Sequence, residues 1–224
     1  SVNFDYLNLF LSRSNSIYQP YYKQVATGIR LIAAEENHGK RADVDNRLFT
    51  GFHENIVFAA LSLNDTGAWA WGPYHLTIRW GAIQLRTSFT EYNTFRYREW
   101  FDRTTDAQGQ EIETERQGYR ATFENRTELA CAKLAGKIDA TTDRNSFAGI
   151  LLAATGNRSG DDFVECHIFN GVSVAAVEHV RMPNDVEAKS LAKSYTPTQR
   201  KREVAVLKRH LATLANQGIA IVAN

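Results

Sequence analysis

The chain is short of cysteine, of net charge and of long apolar runs, and each shortage removes a class of protein. Cys131 and Cys166 are its only cysteines, too few for a disulfide scaffold or a cysteine-built metal centre. A reducing compartment suits that count, although two thiols do not decide it. A net charge of +1 excludes a wholly basic nucleic-acid binder. No apolar run is long enough to span a bilayer and no signal-peptide pattern is present, so no membrane is expected, and leaderless secretion stays open. Walker and dinucleotide-fold glycine patterns are missing, which leaves kinase and dehydrogenase readings without support. His38, His53, His75, His179 and His210 lack metal-ligand spacing, and no metal is expected. There is no internal repeat and no low-complexity tract.

What is present is ordinary for a soluble globular chain: 43% apolar and 23% charged residues. A length of 224 residues suits one domain with a substantial core, or one domain with appendages. In chain order, Phe4 to Leu11 reads as a buried strand, and Tyr18 to Ile32 as a helix through Tyr22, Val25, Ile29 and Ile32, weakened at Gly28. Residues 33 to 46 are charged and read as a loop. Strands are expected over Asn55 to Leu63, Tyr74 to Trp80, and Ala82 to Phe89, the last with Ile83, Leu85, Thr87 and Phe89 on one face. Residues 102 to 125 suit a long loop or exposed hairpin. Thr127 to Ile138 suits a helix, and Phe147 to Ala154 a strand or buried helix. Val177 to Met182 reads as a last short strand. Thr198 to Gln217 is a helix with Val204, Leu207, Leu211 and Leu214 on one face, stopped by Gly218. The balance of strands and helices is α+β.

One stretch carries reactive residues at strand spacing. After the glycine-bearing loop 155–160, Phe163, Glu165 and His167 alternate with Val164, Cys166 and Ile168. A carboxylate at mid-strand is costly to bury without a partner, so Glu165 either lines a cleft or sits on a solvated face. His167 either contacts an acceptor or is a surface histidine.

Three segments together resemble the ADP-ribosyltransferase superfamily of bacterial and phage-type toxins and effectors. Leu9-Phe10-Leu11-Ser12-Arg13-Ser14, followed by a helix ending Thr27-Gly28-Ile29-Arg30, resembles that family's opening strand, polar turn and helix. Trp71-Gly72-Pro73-Tyr74-His75-Leu76-Thr77-Ile78 and Leu85-Arg86-Thr87-Ser88-Phe89-Thr90-Glu91-Tyr92-Asn93-Thr94 resemble its two-strand signature. Phe163-Val164-Glu165 through Gly171-Val172 is similar to the late strand that bears the catalytic glutamate. The resemblance implies a split β-sandwich with flanking helices, over residues 1–186, and a basic helical extension, residues 187–224, packed on the same domain. It implies NAD as substrate and a macromolecular acceptor. Glu165 would hydrogen-bond the ribose 2-hydroxyl as the nicotinamide bond breaks, Arg13 would hold the dinucleotide through its planar fork, and Ser62 would orient Glu165. Tyr92, Phe95 and Tyr97 would stack on the nicotinamide, though such a density of aromatics also suits a core. Two positions depart from the family pattern. Ala60-Leu61-Ser62 keeps one serine of a Ser-Thr-Ser triplet, and Phe163 stands where arginine-modifying members carry glutamate or glutamine.

Charge placement bears on the acceptor. From residue 188 onward Lys189, Lys193, Arg200, Lys201, Arg202, Lys208 and Arg209 face a single acid, Glu203. That run is either a solvated helix face or a phosphate-binding one, and Arg96, Tyr97, Arg98 and Trp100 add charge with stacking. RNA or DNA is therefore favoured slightly over protein as acceptor. A toxin or defence effector of this kind implies a cytoplasmic site of action, reached by delivery where the target is another cell, and allows an antitoxin or immunity partner. The alternatives are an RNA phosphotransferase of the same fold and a catalytically inactive nucleic-acid-binding module.

Overall fold

Two sheets and the helices laid against them organise the chain. The computed structural model describes residues 1–32, 35–94, 96, 101–115, 118–158, 160–183, 196–213 and 218–222. Phe95, Tyr97, Arg98, Trp100, Lys189, Lys193 and Leu214 lie outside them. Among the described residues the fold is mixed α+β, with six helices and several small, mainly antiparallel sheets.

The N-terminal third departs most from its sequence expectation. α1 (Phe4–Leu11) is a helix and not a buried strand. Leu7, Phe10 and Leu11 are buried at three- and four-residue spacing, while Leu9 is 51% exposed. An unbroken apolar run satisfies strand and helix alike, and the helix wins by burying one face against the core. β1 (Ile17–Tyr18) follows, then α2 (Tyr21–Ala26), which is shorter than expected. Gly28 ends it at φ +70°, a conformation that glycine adopts without Cβ strain. Ile29 and Ile32, expected on the helix's apolar face, therefore lie beyond it and exposed. α3 (Glu35–Leu48) replaces the expected loop. It is held by ion pairs one turn apart, Arg41–Asp45 at 3.2 Å and Arg47–Asp43 at 3.5 Å, and by buried Val44.

β2 (Ile56–Ala60) and β3 (His75–Ile78) fall within their expected segments. The strand expected from Ala82 is instead two 3-10 turns, Trp80–Ala82 and Gln84–Arg86, leading into β4 (Thr87–Thr90). Ile83 is buried and Leu85 is 97% exposed, so the two share no face. β5 (Phe101–Thr105) and β6 (Glu111–Glu115) form a hairpin, and β7 (Arg120–Thr122) returns to the sheet. Then come α4 (Arg126–Ala135), α5 (Phe147–Leu151) and β8 (Leu152–Ala153), so the apolar run 147–154 holds both a helix and a strand. β9 (Asp162–Phe163), β10 (Glu165–Phe169), β11 (Val172–Ser173) and β12 (Val177–Arg181) precede α6 (Pro197–Thr213) and β13 (Ala220–Val222).

β10 is interior in a four-stranded antiparallel sheet of order β2-β10-β4-β7. Its register sets two unlike faces. Cys166 lies level with Ala59 and Phe89, and Ile168 with Val57, which makes one face apolar core. Glu165 lies level with Ala60 and Thr90, and His167 with Phe58 and Ser88, which makes the other face polar. The second sheet, β13-β12-β3, pairs β12 with β13 in parallel and carries the main core between α1 and α6. There Leu207 and Leu211 of α6 pack with Leu7, Phe10 and Val180, and Tyr74 Oη donates to Glu203 Oε2 at 2.6 Å.

Candidate functional site

The polar face of β10 is covered by α3. Phe49, one residue past the helix, sets its ring 4.7 Å from the His167 ring, and Arg41 lies 4.3 Å over Phe58. Between them Asp45, almost fully buried, accepts a hydrogen bond from Tyr22 Oη at 2.8 Å. Arg41 Nε approaches Asp45 Oδ2 at 3.2 Å but is left without a formed hydrogen bond, so this ion pair is geometrically imperfect.

Glu165 is 4% exposed, so it occupies no solvated face. Its Oε2 accepts from the Thr94 backbone N–H at 2.7 Å and lies 3.5 Å from His167 Nε2, longer than a good hydrogen bond. Thr94 is placed by the turn after β4, where Thr90 Oγ1 donates to the Tyr92 carbonyl at 2.8 Å and Asn93 and Thr94 are buried. His167, expected at the surface or on an acceptor, is 2% exposed between Phe49 and Phe58.

The two buried carboxyls are pushed in opposite directions. Burial opposes charge on Glu165, but His167, the Arg41 guanidinium and the Thr94 N–H together hold its carboxyl below the usual range. For Asp45 burial prevails over Arg41 and Tyr22, and the neighbouring Glu165 adds to it, so that carboxyl is held above the usual range. The two neighbouring carboxyls are thus driven apart in titration, Glu165 below and Asp45 above the ordinary range. Beside His167 a cleft of about 450 Å³ opens on the same sheet face, lined by Phe49, Phe52, Ser88, Thr90 and Thr122.

The other residues singled out in the sequence fall in different places. Arg13 is exposed in the turn after α1, and its guanidinium makes no hydrogen bond or ion pair among the described residues. Ser62 Oγ lies 3.3 Å from Asn64 Oδ1 in the turn after β2, and the hydrogen bond to Glu165 comes from Thr94 instead. Tyr92 packs with Val44 and Leu48 of α3, with Lys133 Nζ 4.5 Å above its ring. Phe95 and Tyr97 lie outside the described residues. Phe163 is buried against Ala60, Ala68 and Leu152. Tyr22, Arg41 and Asp45 were missed. Their signal was the four-residue spacing of Arg41–Asp45 and Asp43–Arg47, legible once 33–46 is wound as a helix.

Among the described residues no group of three or more His, Cys, Asp or Glu is arranged to hold a metal ion, and no helix is long and apolar enough to cross a membrane. No protein-family model, curated protein or solved structure matches the chain.

Proposed function

We propose that the chain is an NAD-dependent ADP-ribosyltransferase of split β-sandwich type, a toxin or effector that transfers ADP-ribose to a macromolecule. One observation carries this reading: Glu165 is buried, its carboxyl is held low, and its Oε2 is fixed by the Thr94 N–H. A carboxylate so fixed suits the ribose 2-hydroxyl, whose hydrogen bond strengthens as positive charge develops on the sugar during loss of nicotinamide. The cleft beside His167, with Phe49 and Phe52 in its wall, suits a flat aromatic ring. Arg41, whose charge reaches Glu165, suits a ribose or phosphate oxygen. Contact with Glu165 requires α3 to shift, because the helix and Phe49 cover that face. Incubation with NAD tests the reading: nicotinamide release is expected, and none from folded protein contradicts it.

A nucleic-acid acceptor is favoured over protein by α6. Leu207 and Leu211 are buried while Lys201, Arg202, Lys208 and Arg209 are exposed, a basic face open to a phosphate backbone. The same face supports the alternative of an inactive nucleic-acid-binding module, which binds RNA or DNA and releases no nicotinamide.

A further inference from the structure

His167 is a buried base to which the transferase reading gives no chemical step. It is 2% exposed, and its ring is fixed between Phe49 at 4.7 Å and Phe58 at 5.7 Å. Its Nε2 makes no hydrogen bond among the described residues. A buried nitrogen left short of a partner costs stability, and that cost is met where the ring has work to do.

Strand register supplies the ring with two neighbours. Ser88 of β4 lies directly opposite His167 of β10, and Glu165 stands two residues before it, so all three side chains share one face. Ser88 Oγ is 3.5 Å from His167 Nδ1, and Glu165 Oε2 is 3.5 Å from Nε2. Each ring nitrogen thus faces a different group. An ionised carboxylate can only accept, so it holds the imidazole proton at Nε2 and leaves the Nδ1 lone pair to the hydroxyl. Glu165 suits that part, with its carboxyl held low and Oε2 anchored by the Thr94 N–H at 2.7 Å. Both 3.5 Å contacts are loose, as contacts between nucleophile and base commonly are before a substrate binds. β10 and β4 are each bonded on both edges, which positions the trio more firmly than loops would.

Access divides the roles. Ser88 is exposed and, with His167, Phe49 and Phe52, lines the cleft of about 450 Å³. The hydroxyl is therefore the group a substrate meets, and the imidazole lies behind it. Asn125, whose side chain does not cap α4, lines the same cleft and offers an amide N–H to a developing oxyanion.

We propose that Ser88, His167 and Glu165 act as nucleophile, base and orienting carboxylate in the hydrolysis of carboxylic esters with a small apolar acyl group. Ser88 Oγ attacks the carbonyl carbon, and its proton passes to His167 Nδ1. The tetrahedral intermediate expels the alcohol, which takes that proton, and Ser88 is left acylated. Water then attacks the acyl carbon and gives a proton to His167, which returns it to Ser88 Oγ as the acid departs. Ester and water give acid and alcohol, and no other reactant enters. The proposal goes beyond the transferase reading and does not rest on it, because no step involves NAD.

A fluorophosphonate, which bonds an activated serine with loss of fluoride, and p-nitrophenyl butyrate test it on the purified chain. Covalent labelling mapped to Ser88 by peptide mass spectrometry is expected, with release of p-nitrophenol. Ser88→Ala, at an exposed position, is expected to fold, to lose the label and to hydrolyse the ester about a hundredfold more slowly or worse. His167→Gln is expected to slow both reactions on the same scale, and should it fail to fold, Ser88→Ala decides alone. No label on Ser88 in folded wild type, or ester hydrolysis unchanged in Ser88→Ala, overturns the proposal. So does a label on Ser88 that persists in folded His167→Gln, because the serine is then reacting without its base.

Discussion

Glu165 and Asp45 share one buried neighbourhood and respond to pH with opposite sign. The Glu165 carboxyl is held low, so the stability its charge contributes is complete above the ordinary carboxylate value of about 4.3 and is lost as pH falls through its lower folded value. The Asp45 carboxyl is held high, so its contribution is complete below the ordinary value of about 3.9 and is lost as pH rises through the folded one. Denaturant unfolding at a series of pH values checks both. Asp45→Asn should gain on wild type as pH rises from about 4, and a constant difference across that range contradicts the assignment. At this scale the sequence was informative about Glu165, whose alternation with apolar neighbours marks a two-faced strand. It was not informative about what Glu165 touches. Thr94 and Asp45 come from distant segments, and only the strand register and the α3 packing bring them in.

Among elements, α3 with the adjoining Phe49 lies against the polar face of the sheet. It contributes little apolar burial, chiefly Val44, with Leu48 and the adjoining Phe49, whereas β10 is bonded on both edges and backed by core. Native-state hydrogen exchange is therefore expected to show α3 amides opening well below the global unfolding free energy and β10 amides near it. Equal protection would mean that α3 is locked and that Glu165 is not reachable by local opening. The C-terminal helix is the opposite case. Its Glu203 is buried and receives the Tyr74 hydroxyl, so Tyr74→Phe should cost about 1–3 kcal/mol in denaturant unfolding, the usual penalty for removing a partner from a buried polar group. A change below about 0.5 kcal/mol would show that the bond does not dock the helix. α6 was legible because its apolar spacing is helical throughout. α1 was not, because a run of Phe, Tyr and Leu fits either period, and α3 was not, because its helix rests on ion pairs and on covering a polar sheet face that no local pattern announces.

Across the whole molecule, charge is divided: a basic face on α6 within a near-neutral total. Should the acceptor be a nucleic acid, labelled NAD offered to mixed cell extract is expected to mark a protease-resistant nucleic-acid fraction. Reversal of Lys201, Arg202, Lys208 and Arg209 to glutamate should reduce that labelling and make what remains less sensitive to salt. Label confined to protein and indifferent to the reversal contradicts a nucleic-acid acceptor. The most direct test of the central claim is nicotinamide released from NAD by wild type and by Glu165→Gln at equal concentration. Turnover by wild type is predicted, with a loss of about a hundredfold or more in the variant at an unchanged thermal midpoint. No release by folded wild type, or equal release by the two proteins, contradicts it.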